Sequence, residues 1–201
     1  MDKFPIDVLQ HCIFDKLNFL MQIRFRQVCQ WFHRLEIHDF RYMDDKHFRK
    51  LSDAILINYP FIRFLNANHN PAIKNVNHMT NLQELSAGGC DCGIDDNGIS
   101  DLNLIELNAY SNSTITNVNH MFSLKKLIAS YSYGIGDDGI KHINLDTLVA
   151  NSNPKITNVN HMSNLKHLYA TCGSGIDDEG IKDLKLVVLI SYGNEKITRK
   201  V

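Results

Sequence analysis

One leucine recurs at a nearly constant interval through most of this chain. Leu65, Leu85, Leu107, Leu127, Leu148, Leu168 and Leu189 are separated by 20, 22, 20, 21, 20 and 21 residues. Around each lies an apolar residue three before and a small or apolar residue two after, as in Leu104-x-x-Leu107-x-Ala109 and Leu145-x-x-Leu148-x-Ala150. A single unit of this length buries almost nothing. The leucines make a continuous core only if every unit closes one coil and stacks on the next.

A longer period is superimposed. The pentapeptide NVNHM starts at Asn75, Asn117 and Asn158, 42 and 41 residues apart, so it marks alternate coils. Those coils carry an asparagine five after the leucine and an isoleucine eight after: Asn70/Ile73, Asn112/Ile115, Asn153/Ile156 and Asn194/Ile197. The intervening coils have Cys90, Ser132 or Gly173 at the asparagine position, followed by IDDNGI, IGDDGI or IDDEGI. From about Ile62 onward these residues resemble the leucine-rich repeat family, whose unit reads L-x-x-L-x-L-x-x-N/C-x-L over about 20 to 29 residues. The resemblance implies an α/β fold, a horseshoe solenoid in which each unit adds one short parallel strand to a concave sheet. The repeated asparagine suits a ladder in which the side-chain amide satisfies backbone groups in the turn leaving each strand.

The thrice-repeated histidine invites a metal reading that the repeat geometry opposes. His78, His120 and His161 fall on every second coil. With strands about 4.8 Å apart they would stand about 10 Å from one another, whereas a zinc ion needs its nitrogens about 2 Å away. They are expected to be polar turn residues on the outer surface, with Met79, Met121 and Met162 filling the core beside them. Asp96, Asp137 and Asp178, each two residues before Gly98, Gly139 or Gly180, are expected to cap a short helical turn by accepting from its free N–H groups. Their spacing lacks the oxygen ligands that a calcium loop gathers in one segment. Cys90-Asp91-Cys92 has no second pair and reads as turn filling. No serine, histidine and acid grouping and no glycine-rich phosphate loop stands out, so no catalytic residue, metal or cofactor is assigned and the chain is read as a non-enzyme.

On a repeat strand the leucine and the residue two later point inward. The residues one before, one after and three after then face the concave surface. Its N-terminal half is polar, while Ile128, Val149, Tyr169, Val188, Ile190 and Tyr192 form an apolar and aromatic stripe toward the C-terminal half. With Tyr110 and Lys126 these are the candidate client-binding residues.

Residues 1 to about 58 break the repeat. Val8, Leu9, Ile13, Leu17, Ile23, Val28 and Phe32 recur at helical intervals behind Pro5, which suits a first helical position, so two or three short amphipathic helices are expected. Another apolar helix is expected over Phe48–Ile57, with Phe48, Leu51 and Ile55 on one face. Three ordered blocks here are Phe4-Pro5-Ile6-Asp7-Val8-Leu9, Ile13-Phe14-Asp15-Lys16-Leu17 and Val28-Cys29-Gln30-Trp31-Phe32-His33-Arg34-Leu35. They resemble the F-box, departing from it in one extra residue between Pro5 and Phe14 and in Phe32 as the aromatic three after the cysteine. The resemblance implies docking onto the Skp-type adaptor of a cullin–RING ubiquitin ligase. Pro5, Leu9, Ile13, Phe14, Leu17, Val28 and Phe32 would serve either that interface or the small helical core. The other reading is that these helices only cap the first coil. Arg24, Arg26 and Arg34 beside Trp31 are read as a solvated face rather than an RNA contact.

Composition narrows the classes further. In 201 residues, 21 Lys and Arg oppose 22 Asp and Glu, giving no electrostatic reason to expect nucleic acid or an anionic membrane as partner. The opening MDKFPIDVLQ lacks the apolar run of a secretory signal, and no stretch approaches the about 20 apolar residues that span a bilayer, so a cytoplasmic or nuclear location is expected. Five cysteines without paired spacing argue against a disulfide framework, and the sequon Asn112-Ser113-Thr114 would then meet no glycosylating compartment. The expected organisation is an F-box-like helical domain over 1–44, a linker or capping helix over 45–61, and a leucine-rich-repeat domain over 62–201. It would work as a noncatalytic substrate receptor of an SCF-type (Skp–cullin–F-box) ubiquitin ligase, binding a protein client on the concave face. The alternative is a repeat scaffold with no ubiquitin connection.

Overall fold

A computed structural model of the chain describes residues 6–17, 19–28, 36–43 and 45–199. Its framework is one open, eight-stranded parallel sheet whose strands follow the chain order. These are β1 (Asp39–Phe40), β2 (Phe64–Asn66), β3 (Glu84–Ser86), β4 (Glu106–Asn108), β5 (Lys126–Ile128), β6 (Thr147–Val149), β7 (His167–Tyr169) and β8 (Val188–Ile190). Each repeat leucine pairs in register with the next, from Leu65 opposite Leu85 to Leu168 opposite Leu189. The leucine period therefore does close one coil per unit, and the α/β class read from it is present. Sequence register did not foresee β1, which precedes the first leucine and pairs with β2 from within the segment expected to be purely helical.

Columns of identical side chains fill the interior. The leucines Leu65 to Leu168 and the alanines two residues later are buried, as are Ile73, Ile115 and Ile156 and the methionines Met79, Met121 and Met162. A three-residue strand presents only one inward side chain, so the rest of each coil supplies the remainder. Close packing then leaves no room for a Cβ at Gly98, Gly139 or Gly180, where one would stand 2.0 Å from the carbonyl oxygen of Lys74, Thr116 or Thr157 on the preceding coil. Those same glycine carbonyls accept from the N–H of Val76, Val118 and Val159. Every coil also turns through a left-handed residue four after its leucine: His69, Gly89, Ser111, Tyr131, Ser152, Cys172 and Gly193.

Before the stack lie α1 (Ile6–Cys12), a 3-10 turn (Phe14–Lys16) and α2 (Phe19–Val28), in line with the expected short helices. The helix expected over Phe48–Ile57 is instead two single turns, α3 (Asp45–Phe48) and α4 (Asp53–Leu56). The break falls at Ser52, which is extended at φ −154° and ψ 168°. It lets the Asp53 carboxylate accept from Lys74 and Asn75 N–H at 2.8 and 3.2 Å, docking α4 on the first coil. Leu51 and Leu56 are buried there, while Ile55 is exposed.

Candidate functional site

The polar residues of the repeat prove to be fasteners between coils. Asn112 Nδ2 donates to the carbonyls of Ala87 and Ile94 on the preceding coil, at 2.8 and 3.1 Å, while its Oδ1 accepts from Thr114 and Ile115 N–H. Asn153 and Asn194 repeat the arrangement, and Asn70 holds Leu51. The ladder expected of these asparagines thus exists, and it reaches between coils as well as around its own turn. Asn112 is buried in it, so the sequon is closed to a glycan on steric grounds.

Within NVNHM every residue has an assignment. The first asparagine folds an Asx turn (Asn117 Oδ1 accepting from Asn119 N–H at 3.0 Å), and Val118 and Met121 are buried. Asn119 bridges forward to Asp138 O and His142 N–H on the next coil, at 2.7 and 2.8 Å. His120 reaches back, with Nε2 3.0 Å from Ile99 O, and His161 meets Ile140 O at the same distance. These rings are latches to the coil behind rather than simple outward-facing turn residues. His78, which has α4 behind it instead of a repeat coil, has a buried Nε2 with no partner among the described residues. Among the described residues no group of three or more His, Cys, Asp and Glu side chains could hold a metal ion.

The aspartates correct the capping expectation. Asp96 makes no side-chain cap to its own turn; Oδ1 accepts from Thr116 and Asn117 N–H on the next coil, at 2.7 and 3.1 Å, and Oδ2 from the Thr116 hydroxyl. Asp137 and Asp178 do likewise with Thr157 and Thr198. The residue before takes the capping part, since Asp95 and Asp177 accept from Gly98 and Gly180 N–H at 3.0 and 2.8 Å. The Asp178 carboxyl lies below its ordinary range, chiefly through the Thr198 hydroxyl and then the Arg199 N–H. Cys90, placed in the asparagine column by sequence, is exposed; among the described cysteines the buried one is Cys92, whose Sγ faces Ala67 O at 3.5 Å. Burial pushes that thiol up, which keeps it protonated and a poor nucleophile.

The candidate client-binding residues lie along the outer face of the sheet. Its two halves differ. At the first strands Arg41 donates to Asp39 at 2.7 Å and to Glu84 at 2.9 Å and lies 4.0 Å above the Phe64 ring; the Asp39 bond leads the causes that raise its pKa further. Lys126 Nζ meets Glu106 at 3.0 Å. Both sites are partly exposed, where such pairs contribute about 1 kcal/mol or less. Toward the other edge, Ile128, Val149, Tyr169 and Ile190 stand opposite one another on β5 to β8. Val188 shares β8 with Ile190, while Tyr110 and Tyr192 are exposed three residues after their leucines. Tyr131 was missed by the sequence reading; its ring lies 5.4 Å from that of Tyr110. It sits in the column four after each leucine, which shares a left-handed backbone angle but no residue type. In the column three after, Ser130 is buried rather than presented.

The candidate adaptor contacts separate by burial. Leu9 and Phe14 are buried, Leu17 is half-buried against the core, and Ile13 is 44% exposed. Val28 closes α2, whereas Pro5, Phe32 and the rest of the third F-box-like block lie outside the described residues. Among the described residues no helix is long and apolar enough to cross a membrane. Comparison with protein-family models gives no match, and comparison with curated proteins gives none either.

Proposed function

We propose that this chain is a noncatalytic protein-interaction adaptor built on leucine-rich repeats, a substrate receptor that joins an SCF-type ubiquitin ligase through its N-terminal helices and binds a protein client on the outer face of its sheet. The observation that carries the client half is the row of Ile128, Val149, Tyr169 and Ile190, one apolar or aromatic side chain per strand on four successive strands. Ile190 is exposed and the other three are half-buried, and contiguous, partly exposed apolar groups of this kind mark protein-binding surfaces. The adaptor half rests on the order of the F-box-like blocks ahead of the repeat and on the exposure of Ile13, Leu20 and Met21. A purified Skp-type adaptor should be retained by the full chain and lost, by tenfold or more in affinity, on Ile13→Asp. Failure of the unaltered chain to retain it removes the ligase half.

A second reading has its own observation. Leu9 and Phe14 are buried, and β1 extends the repeat sheet into the N-terminal segment, as a solenoid cap requires. On that reading the chain is a scaffold without ubiquitin chemistry, and Ile13→Asp changes neither stability nor client binding.

A further inference from the structure

We propose that a depression beside the starts of β3 to β5, walled by Ile105, Phe122 and Lys125, binds an acidic peptide segment of a partner protein, one that carries a carboxylate close to a large apolar side chain. The site is separate from the row on β5 to β8 and does not depend on it. Departures from the repeat, which the coils themselves do not need, identify it. Two residues before successive leucines stand Arg63, Gln83, Ile105, Lys125, Asp146 and Lys166, and from Gln83 onward the N–H of each donates to the carbonyl of the member one coil back at 2.8 to 3.0 Å. Glutamine, lysine and aspartate make the same bond as isoleucine, so nothing in the coil demands Ile105. Val187, the other apolar member of that column, belongs to the last described coil. Phe122 departs in the same way. It stands after Met121 in the place that Thr80 and Ser163 hold after Met79 and Met162, and its N–H donates to His120 O at 3.1 Å, as Ser163 N–H does to His161 O. The Phe122 side chain is 76% exposed and Ile105 40%, so neither fills the coil interior.

The two departures fall on successive coils and line one depression of about 610 Å³. That convergence sets this place apart from the equivalent positions on the other coils. The rest of the lining fixes the chemistry of the occupant. Among the described residues Lys125 is its one charged group; it is exposed and has no ion-pair partner. Asp146, next in the same column, lies outside the lining. An ammonium beside a phenyl ring and a branched aliphatic group complements an apolar side chain with a carboxylate nearby in sequence, whereas a basic segment would set cation against cation. Asn81, Gln83 and Asn103 contribute amides, and the Asn81 amide has no partner among the described residues, so it is free to donate to and accept from a peptide backbone. The depression is open rather than enclosed, which suits a chain laid across it more than a small molecule, whose sites bury most of the ligand surface.

The test uses the full chain and two displayed libraries of peptides about seven residues long. One fixes Glu with Trp, Phe or Leu two residues later; the other fixes Lys in place of Glu and is otherwise the same. Selections run on the unaltered protein, and binders are re-measured on variants. They should come from the acidic library, weaken at least tenfold on Phe122→Ser and on Lys125→Glu, weaken less on Ile105→Gln, weaken as salt is raised, and bind Tyr169→Glu, altered on the outer face of the sheet, as they bind the unaltered chain. Phe122→Ser and Ile105→Gln install residues that the same columns hold on other coils, so their thermal unfolding midpoints should not fall. A fall in either midpoint shows that the side chain serves the stack and overturns the inference. Binders from the basic library alone overturn the acidic occupant, and absence of any binder sensitive to Phe122→Ser overturns the site while leaving the outer face of β5 to β8 untouched as a client surface.

Discussion

The coil stack and the helical segment before it handle buried polar groups in different ways. In the stack, Asn112, Asn153 and Asn194 use the same atoms on the same partners, one coil apart each time. In the segment before it the described bonds follow no such period. Gln10 exchanges two 2.8 Å bonds with the Glu36 backbone, and Gln22 donates to Phe14 O at 3.0 Å. Repetition makes the stack's stability a sum of near-identical interfaces. Among its described residues the helical segment shows no such ladder, so each of its contacts matters locally.

That contrast orders the expected effects. Gly139→Val, whose Cβ would strike Thr116 O, should cost at least about 4 kcal/mol in urea unfolding and disrupt the stack on both sides. Phe14→Ala should cost about 3 kcal/mol, yet leave hydrogen-exchange protection in β4 to β7 intact; loss of protection there would mean that the two regions are one cooperative unit. Asn153→Ala strands the carbonyls of Ala129 and Ile135 and should cost about 2 to 3 kcal/mol, against about 1 to 2 for Asn70→Ala, where Leu51 O is the carbonyl held. Equal costs would show that the ladder does not strengthen inward.

Acid sharpens the comparison more gently. Because the folded pKa of Asp178 is lowered, its contribution is complete above the ordinary carboxylate value of about 3.9 and disappears as pH falls through the lower folded value. The unaltered chain should therefore lose its advantage over Asp178→Ala as pH drops below about 4, so the two unfolding midpoints converge; a constant gap down to pH 2 would contradict the assignment. Smallest of all, Ser152→Gly relieves a left-handed residue at φ 52° and should raise stability by less than about 1 kcal/mol. A loss on that substitution would show the turn to be unstrained.

How much could be read beforehand follows the same division. Leucine spacing specified strand order and register, because any other closure leaves the leucines unstacked. The asparagine ladder was legible for the same reason. Asp96 was misread because its partner, Thr116, lies on the next coil, and the helical turn beside it offered a nearer explanation. Cys92 was misaligned because its coil is the 22-residue one, where counting from the leucine selects Cys90. Asp39, Arg41 and β1 precede the first leucine, so no register points to them. At the outer face the row from Ile128 to Ile190 was legible as alternate strand positions, whereas Tyr131 depends on a left-handed turn whose residues share a backbone angle and little else.

The fasteners are not interchangeable between neighbouring coils. Asp96, Asp137 and Asp178 reach forward from one kind of coil to a threonine on the other, while His120 and His161 reach back the opposite way. Excising one coil would set like against like, leaving carboxylates without hydroxyls. A lineage or a designer can therefore lengthen this molecule only two coils at a time, and its recognition surface widens in increments of two strands, about 10 Å each.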